Sequence, residues 1–400
     1  MIRQQISHSI LRLTVNDHKI KKFENLWELD QGISYNCYLL KGEKNVLIDT
    51  VEKSFANELL KILQAELKDQ PLDYLIINHM EPDHSGTILA LLEKYPKIKL
   101  VGNHKTIEFT RGFYDLDEAR FIEVTNKDTL DLSDYSLEFH QTPMVHWPES
   151  MVTYEKNQQL LFSSDIFGGY KTVDNQVLAD ERSDLDEFVD QARAYFATVL
   201  GGYTRPALAS LKKLKSLKIK CIAPAHGLVW QKNHQQIFEL YERWASFLVD
   251  DDSWRGVTVV IGSMYGHTLQ IGKLIKQELI KAGLQIDLLD VSQTTQTEQL
   301  NCVWKNQGLI IGSCTYANGL FPPIRSLLEA LEERKLKNKF LGVFSSHSWT
   351  GGAMSYLKKF AENSKLKLIE PVFETKYKMS SESEQNAVLL AKKMGEKLSK

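Results

Sequence analysis

Between Asn78 and Gly86 the chain reads NHMEPDHSG. Two histidines, a glutamate and an aspartate fall between His79 and His84, and His146, Asp165 and His226 add further donors. The alternation His79-x-Glu81-x-Asp83 can direct three side chains to one centre from a short loop, with Ser85 and Gly86 permitting a tight turn and a helix start. Apolar strand-like runs deliver the same residue types repeatedly. DYLIINH ends in His79, QLLFSSD in Asp165 and IKCIAPAH in His226, while LEFHQTPMVH carries His146 a few residues past its strand. A single histidine is more often a surface or a satisfied core residue, but that does not account for four such repeats beside a cluster. His79, Glu81, Asp83, His84, His146, Asp165 and His226 offer more donors than the roughly four to six that one metal needs. That inventory points to two metals, with the two oxygens of Asp165 free to bridge them. Imidazole suits Zn, Cu, Fe and Ni, and added carboxylates move the balance toward iron or manganese. A low ligand count leaves positions open for small molecules.

A second set of residues lies downstream. GSMYGHT, Gly262 to Thr268, follows the strand-like VTVVI and precedes a helix. The hydroxyls of Ser263 and Thr268, with backbone N–H groups at the helix start, can cradle a phosphate. Met264, Tyr265, Gly266 and His267 complete the turn. No lysine follows in the Walker A manner and G-x-G-x-x-G is absent, so a monophosphate such as FMN fits better than a dinucleotide. GSCTYANG supplies Ser313, Cys314, Thr315, Tyr316, Asn318 and Gly319. SSHSWTGGA supplies Ser346, His347, Ser348, Trp349, Gly351 and Gly352. Both loops follow strands, so all three loops gather at the carboxyl edge of one sheet. Tyr316 and Trp349 could stack on an isoalloxazine ring, with small residues letting backbone amides reach its polar edge.

Two different halves must position these sets. From Gly256 onward strands and helices alternate, five strands in all, which predicts a parallel sheet covered on both faces. Before it, strand runs such as SYNCYLL, MVTYE and QLLFSSD are interspersed with helical runs such as FANELLKILQAEL and DEFVDQARAYFATVL. That pattern indicates an α/β arrangement of two sheets with outer helices. The polar, acidic VDDDSWRG places a boundary near residue 252, giving units at 1–250 and 254–400, with no long flexible linker between them.

The 400 residues fit two or three domains, and 43% hydrophobic with 25% charged is ordinary for a soluble globular chain. A net charge of −2 gives no bias toward nucleic acid or membrane. No apolar run approaches the ~20 residues of a membrane helix. The N-terminal stretch has no long apolar core or small-residue cleavage site, which speaks against a signal peptide. Cys37, Cys221, Cys302 and Cys314 form no C-x-x-C pair, so a zinc ribbon, a thioredoxin-type site or a rubredoxin-like iron site is disfavoured and a reducing cytoplasm is expected.

The motifs HMEPDHSG, HWPESM, LFSSDIFGGY and PAHGLVW, with the leader-like FENLWELDQGISYNCYLL, resemble the metallo-β-lactamase-fold domain of flavodiiron proteins, also called A-type flavoproteins. The three downstream loops resemble their flavodoxin half, with Cys314 where proline is common. Hydrolytic zinc relatives carry H-x-H-x-D-H at the first motif, and this chain carries H-x-E-x-D-H. The resemblance implies an N-terminal metallo-β-lactamase-like αβ/βα sandwich followed by a flavodoxin-like five-stranded doubly wound parallel sheet. It implies His79, Glu81 and His146 on one iron, Asp83 and His226 on the other, and Asp165 bridging. His84 corresponds to a position that in family members binds weakly or turns away, and is left out of the expected ligand set. The implied activity is reduction of O2 to water, of NO to N2O, or both, at two Fe ions resupplied by FMN. The implied partners are an external electron donor, such as rubredoxin or a reduced deazaflavin, and a second copy in a head-to-tail homodimer or a dimer of dimers. A zinc hydrolase with an accessory flavodoxin domain is the alternative, opposed by Glu81. An electron carrier or redox sensor with a degenerate metal site is a third reading, opposed by the complete donor set.

Overall fold

A computed structural model of the chain describes residues 1–117, 120–247 and 255–399. It divides into two compact units, Met1–Ala245 and Ser246–Lys400. The boundary expected near residue 252 lies outside the described residues.

Among the described residues, the first unit pairs a seven-stranded sheet with a five-stranded one. The larger sheet runs Ile2–Gln5, Ile10–Asp17, Ile33–Leu40, Val46–Ile48, Tyr74–Ile76, Lys99–Gly102 and Phe121–Glu123, antiparallel through Val46–Ile48 and parallel beyond it. The smaller runs Thr129–Asp131, Ser136–Gln141, Met151–Glu155, Leu160–Ser164 and Cys221–Pro224, with only the last pair parallel. Strand alternation explains the packing. Leu137 and Phe139 of Ser136–Gln141 point into a core that also holds Ile10, Tyr38, Ile48 and Ile76 from the larger sheet. Glu138 and His140 fall on the opposite face. Helix Ala56–Leu67 buries Leu59, Leu63 and Leu67, one apolar stripe at i, i+4 and i+8. Each such leucine contributes about 1.5–3 kcal/mol through burial.

The second unit is a parallel sheet ordered Gln285–Asp290, Gly256–Gly262, Gly308–Tyr316, Lys337–His347 and Lys365–Leu368. In chain order this is 2-1-3-4-5, the flavodoxin-like doubly wound arrangement. Gly256–Gly262 is buried along its whole length, as expected for a strand with helices on both faces. Two details differ from the sequence expectation. The fifth strand is split at Pro371, and Phe373–Lys376 resumes beside Lys337–His347. Helix Gln296–Lys305 was not anticipated, because few apolar residues mark it. It is started by Thr295, whose hydroxyl accepts from Glu298 N at 3.1 Å.

Candidate metal centre and cofactor pocket

The donors of the first unit meet at the carboxyl ends of strands from both sheets. Tyr74–Ile76 leads to His79, Leu160–Ser164 to Asp165 and Cys221–Pro224 to His226. Between Glu81 and Gly86 a single turn, Pro82–Ser85, starts with proline at its first position, where the missing N–H is harmless.

Two groups form. His79, Glu81, His146 and Asp165 make one, and Asp83, His84 and His226 the other, with the donor atoms of each within 4.8 Å of one another. In the first, His146 Nε2 is 2.9 Å from Glu81 Oε2, and His79 Nε2 is 3.3 Å from both Glu81 Oε2 and Asp165 Oδ2. In the second, His226 Nε2 is 3.2 Å from Asp83 Oδ2. Asp165 serves both, because its Oδ1 lies 3.0 Å from His84 Nε2 and 3.5 Å from His226 Nε2. The structure thus brings His79, Glu81, His146 and Asp165 together, and Asp83, His84 and His226 beside them, with Asp165 between the groups.

His84 differs from the sequence expectation. Its ring faces the second group, with Nε2 3.3 Å from Asp83 Oδ1. Thr50 donates both its N–H, at 2.8 Å, and its hydroxyl, at 2.7 Å, to the His84 carbonyl and so anchors that turn.

The donor chemistry suits cations. The carboxylate oxygens of Asp83 and Asp165, and Nε2 of His84 and His226, are buried without a hydrogen-bond partner. Buried polar atoms are paired in nearly all folded proteins, so such a convergence fits coordination. Burial opposes charge on Asp165, yet the close approach of His84, His79, His146 and His226 holds its carboxyl well below the usual range.

Three groups that sequence reasoning missed support the centre. Glu149 Oε1 accepts from His79 Nδ1 at 2.7 Å and from Met80 N at 2.9 Å, fixing the ring so that Nε2 faces the cluster. Asn103 Nδ2 in turn donates to the Glu149 carbonyl at 2.6 Å. The signal was a lone acid inside HWPESM. Tyr195 is fully buried against His226, ring centroids 5.4 Å apart, and its hydroxyl has no partner. It ends helix Leu185–Tyr195, just before a π-turn over Phe196–Leu200. Glu24, a largely exposed residue near Glu81, accepts from Trp27 Nε1 at 3.0 Å, and partial desolvation followed by the charge of Glu81 pushes it up to about 7.

In the second unit the three loops enclose a cavity of about 910 Å³. Ser263, Met264, Tyr265, His267, Thr268, Cys314, Thr315, Tyr316, Asn318, Ser346, His347, Ser348 and Trp349 line it. The remaining expected residues shape the loops instead. Gly266 takes φ +89° immediately before helix His267–Lys281, a conformation that L side chains rarely adopt. Ser313 Oγ accepts from Phe321 N at 3.2 Å, and a Cβ on Gly352 would sit 2.2 Å from Asn318 O. Gly319 and Gly351 stand against Arg325 and Glu374. Thr268 Oγ1 bonds Ser346 Oγ at 2.8 Å, joining the first and third loops. Tyr377 and Lys378 also line the cavity and were missed, because they follow the strand that resumes after Pro371. The hydroxyls, the helix start and the aromatic rim suit a phosphate and a flat ring.

The fold and the two sites define a metallo-β-lactamase-like domain joined to a flavodoxin-like domain. Residues 33–227 match the ODP family beta lactamase, and residues 259–389 match flavodoxin. The anaerobic nitric oxide reductase flavorubredoxin of Salmonella typhi is 34% identical over 332 residues, 82% of this chain and 68% of the relative. A variant of the flavo di-iron protein from Thermotoga maritima superposes with a TM-score of 0.88 at 28% identity, covering 99% of each chain. The rubredoxin oxygen:oxidoreductase of Desulfovibrio gigas shares the fold, with a TM-score of 0.92 at 21% identity over 100% of this chain and 99% of that one. The chain belongs to the flavodiiron protein family.

Proposed function

We propose that this chain is an FMN-dependent diiron reductase that removes NO, O2 or both. The balances are 2 NO + 2 e− + 2 H+ → N2O + H2O, and O2 + 4 e− + 4 H+ → 2 H2O. The observation that carries this reading is Asp165, which offers one oxygen to each donor group in a chain that also holds a flavin pocket. A pair of irons supplies a reducing site with open positions for a diatomic gas, and FMN supplies its electrons. His79, Glu81 and His146 would hold one iron and Asp83 and His226 the other, with Asp165 available to both. The inward ring of His84 adds it to the second iron's ligands. Glu149 orients His79, and the unpartnered Tyr195 hydroxyl is placed to donate a hydrogen bond to a small molecule beside His226. The zinc-hydrolase alternative is not favoured, because relatives across four-fifths of the chain are named nitric oxide reductases.

The diiron unit spans 1–250 and the flavin unit 254–400. Two copies assemble head to tail, each flavin unit serving its partner's irons. Charge supports this: residues 1–247 hold 29 Lys and Arg against 35 Asp and Glu, whereas residues 255–400 hold 20 against 13. Unlike charges on the two units favour that docking order and disfavour like-to-like contact. The protein works in the cytoplasm, in keeping with four free cysteines and no described helix long and apolar enough to cross a membrane. An external carrier such as rubredoxin or a reduced deazaflavin delivers electrons. Anaerobic assays of NO and O2 consumption, with reduced rubredoxin or a chemical reductant as donor, test the activity. Consumption of neither gas by protein loaded with iron and FMN would contradict it. Full activity at every dilution from a species that sediments as a monomer would contradict the dimer.

A further inference from the structure

Arg12 is wholly buried in the first unit, on strand Ile10–Asp17. No carboxylate pairs with it among the described residues. Its Nε and Nη1 have no hydrogen-bond partner. Burial pulls its guanidinium down only to about 10, so it stays cationic at neutral pH. An uncompensated buried charge costs several kcal/mol even after relaxation.

Hydrogen-bond satisfaction does not account for that cost. Arg12 Nη2 donates to Gly227 O at 2.6 Å and to Asn36 Oδ1 at 2.7 Å. Each acceptor has another donor, since Asn36 Nδ2 reaches Gly227 O at 3.3 Å and Thr14 Oγ1 reaches Asn36 Oδ1 at 2.9 Å. The position of the charge is more telling. Gly227 follows His226 directly and takes φ +72°. Further contacts from the neighbouring strand also grip this loop. Tyr38 Oη donates to Pro224 O at 2.6 Å, Asn36 N to Ala225 O at 2.8 Å, Gly227 N to Ser34 Oγ at 2.9 Å, and His226 Nδ1 to Ser34 O at 2.8 Å.

We propose that Arg12 is a positioning residue for the metal centre, its buried cation clamping the 224–227 loop so that His226 presents Nε2 to the second donor group. A charge-assisted bond is about twice as strong as a neutral one. Here it fixes the carbonyl that follows the ligand, and hence the direction of the ligand itself. The inference rests on His226 being a metal ligand.

A shape-matched neutral side chain separates this role from a structural one. Replacing a buried charge by an apolar group of similar volume is often neutral or stabilising to the fold. The metal-free full chain carrying Arg12→Met should therefore melt at the wild-type temperature or above it. Its affinity for Fe(II), measured anaerobically against a competing chelator, should fall about tenfold at one of the two sites, the loss of one good hydrogen bond to a charged group. Arg12→Lys should recover most of that loss, and FMN content should not change in either variant. Two Fe(II) bound as tightly as in wild type would overturn the proposal. So would failure of Arg12→Met to fold, or equal weakening of both sites with a lower melting temperature, since either makes Arg12 a structural residue. A wild-type chain that takes up no metal would instead sink the ligand assignment.

Discussion

The two sites of this chain are built from different materials. Every donor of the metal centre, from His79 to His226, is under a tenth exposed, and its chemistry resides in side chains. The flavin pocket instead relies on loop backbone and hydroxyls, and its rim leaves Tyr265 and Trp349 89% and 84% exposed. A buried constellation of metal donors demands particular residue types, because few side chains can supply a ligand atom. A backbone cradle demands conformation, which several residues can supply. The two sites should therefore respond differently to single substitutions, steeply in the first unit and gradually in the second.

The steepest response is expected at Glu81. Glu81→Ala should abolish gas reduction, read by NO and O2 consumption, while the flavin absorbance spectrum stays intact. Surviving activity would show that this carboxylate is not a ligand. Next comes the support behind the ligands. Glu149→Gln should weaken Fe(II) binding by about 10–100-fold, the usual effect of removing an outer partner of a ligating histidine. In the second unit, Gly266→Ala should weaken FMN binding by about tenfold, since forcing an L side chain into a left-handed conformation costs roughly 1–2 kcal/mol. Iron content should not change, and FMN titration by fluorescence checks it. Comparable loss of iron would erase the contrast between the sites.

The smallest effect concerns pH. In the metal-free chain burial opposes charge on His146 and His226, but the neighbouring carboxylates of Asp165, with Glu81 or Asp83, outweigh it and raise them to about 9 and about 10. Both lie above the usual 6.5. Their pairing therefore stabilises the metal-free fold fully below about pH 6.5 and is lost as pH rises through about 9 to 10. Metal must displace those protons, so Fe(II) affinity should rise across the same range. Calorimetry in buffers of different ionisation enthalpy should show proton release at pH 7.

The same contrast explains what could be read from residues alone. Asp165 and His226 were legible because each ends an apolar strand where a charged group has no packing role. Glu149 was not, because its meaning depends on His79, 70 residues earlier in the chain. His84 was set aside because its matching position in the family binds weakly or turns away, and the Thr50 bonds that anchor its turn are non-local. In the flavin unit the three glycine- and serine-rich loops announced themselves at strand ends. Tyr377 and Lys378 did not, because only the resumed strand Phe373–Lys376 carries them to the same edge. Arg12 carried no signal in the sequence, because only the fold brings it against Gly227.

The most direct test of the whole account is a metal and flavin analysis of the purified chain, by plasma mass spectrometry and by flavin release. About two irons and one FMN per chain are expected. Two zinc ions, or FMN with no metal at all, would contradict it.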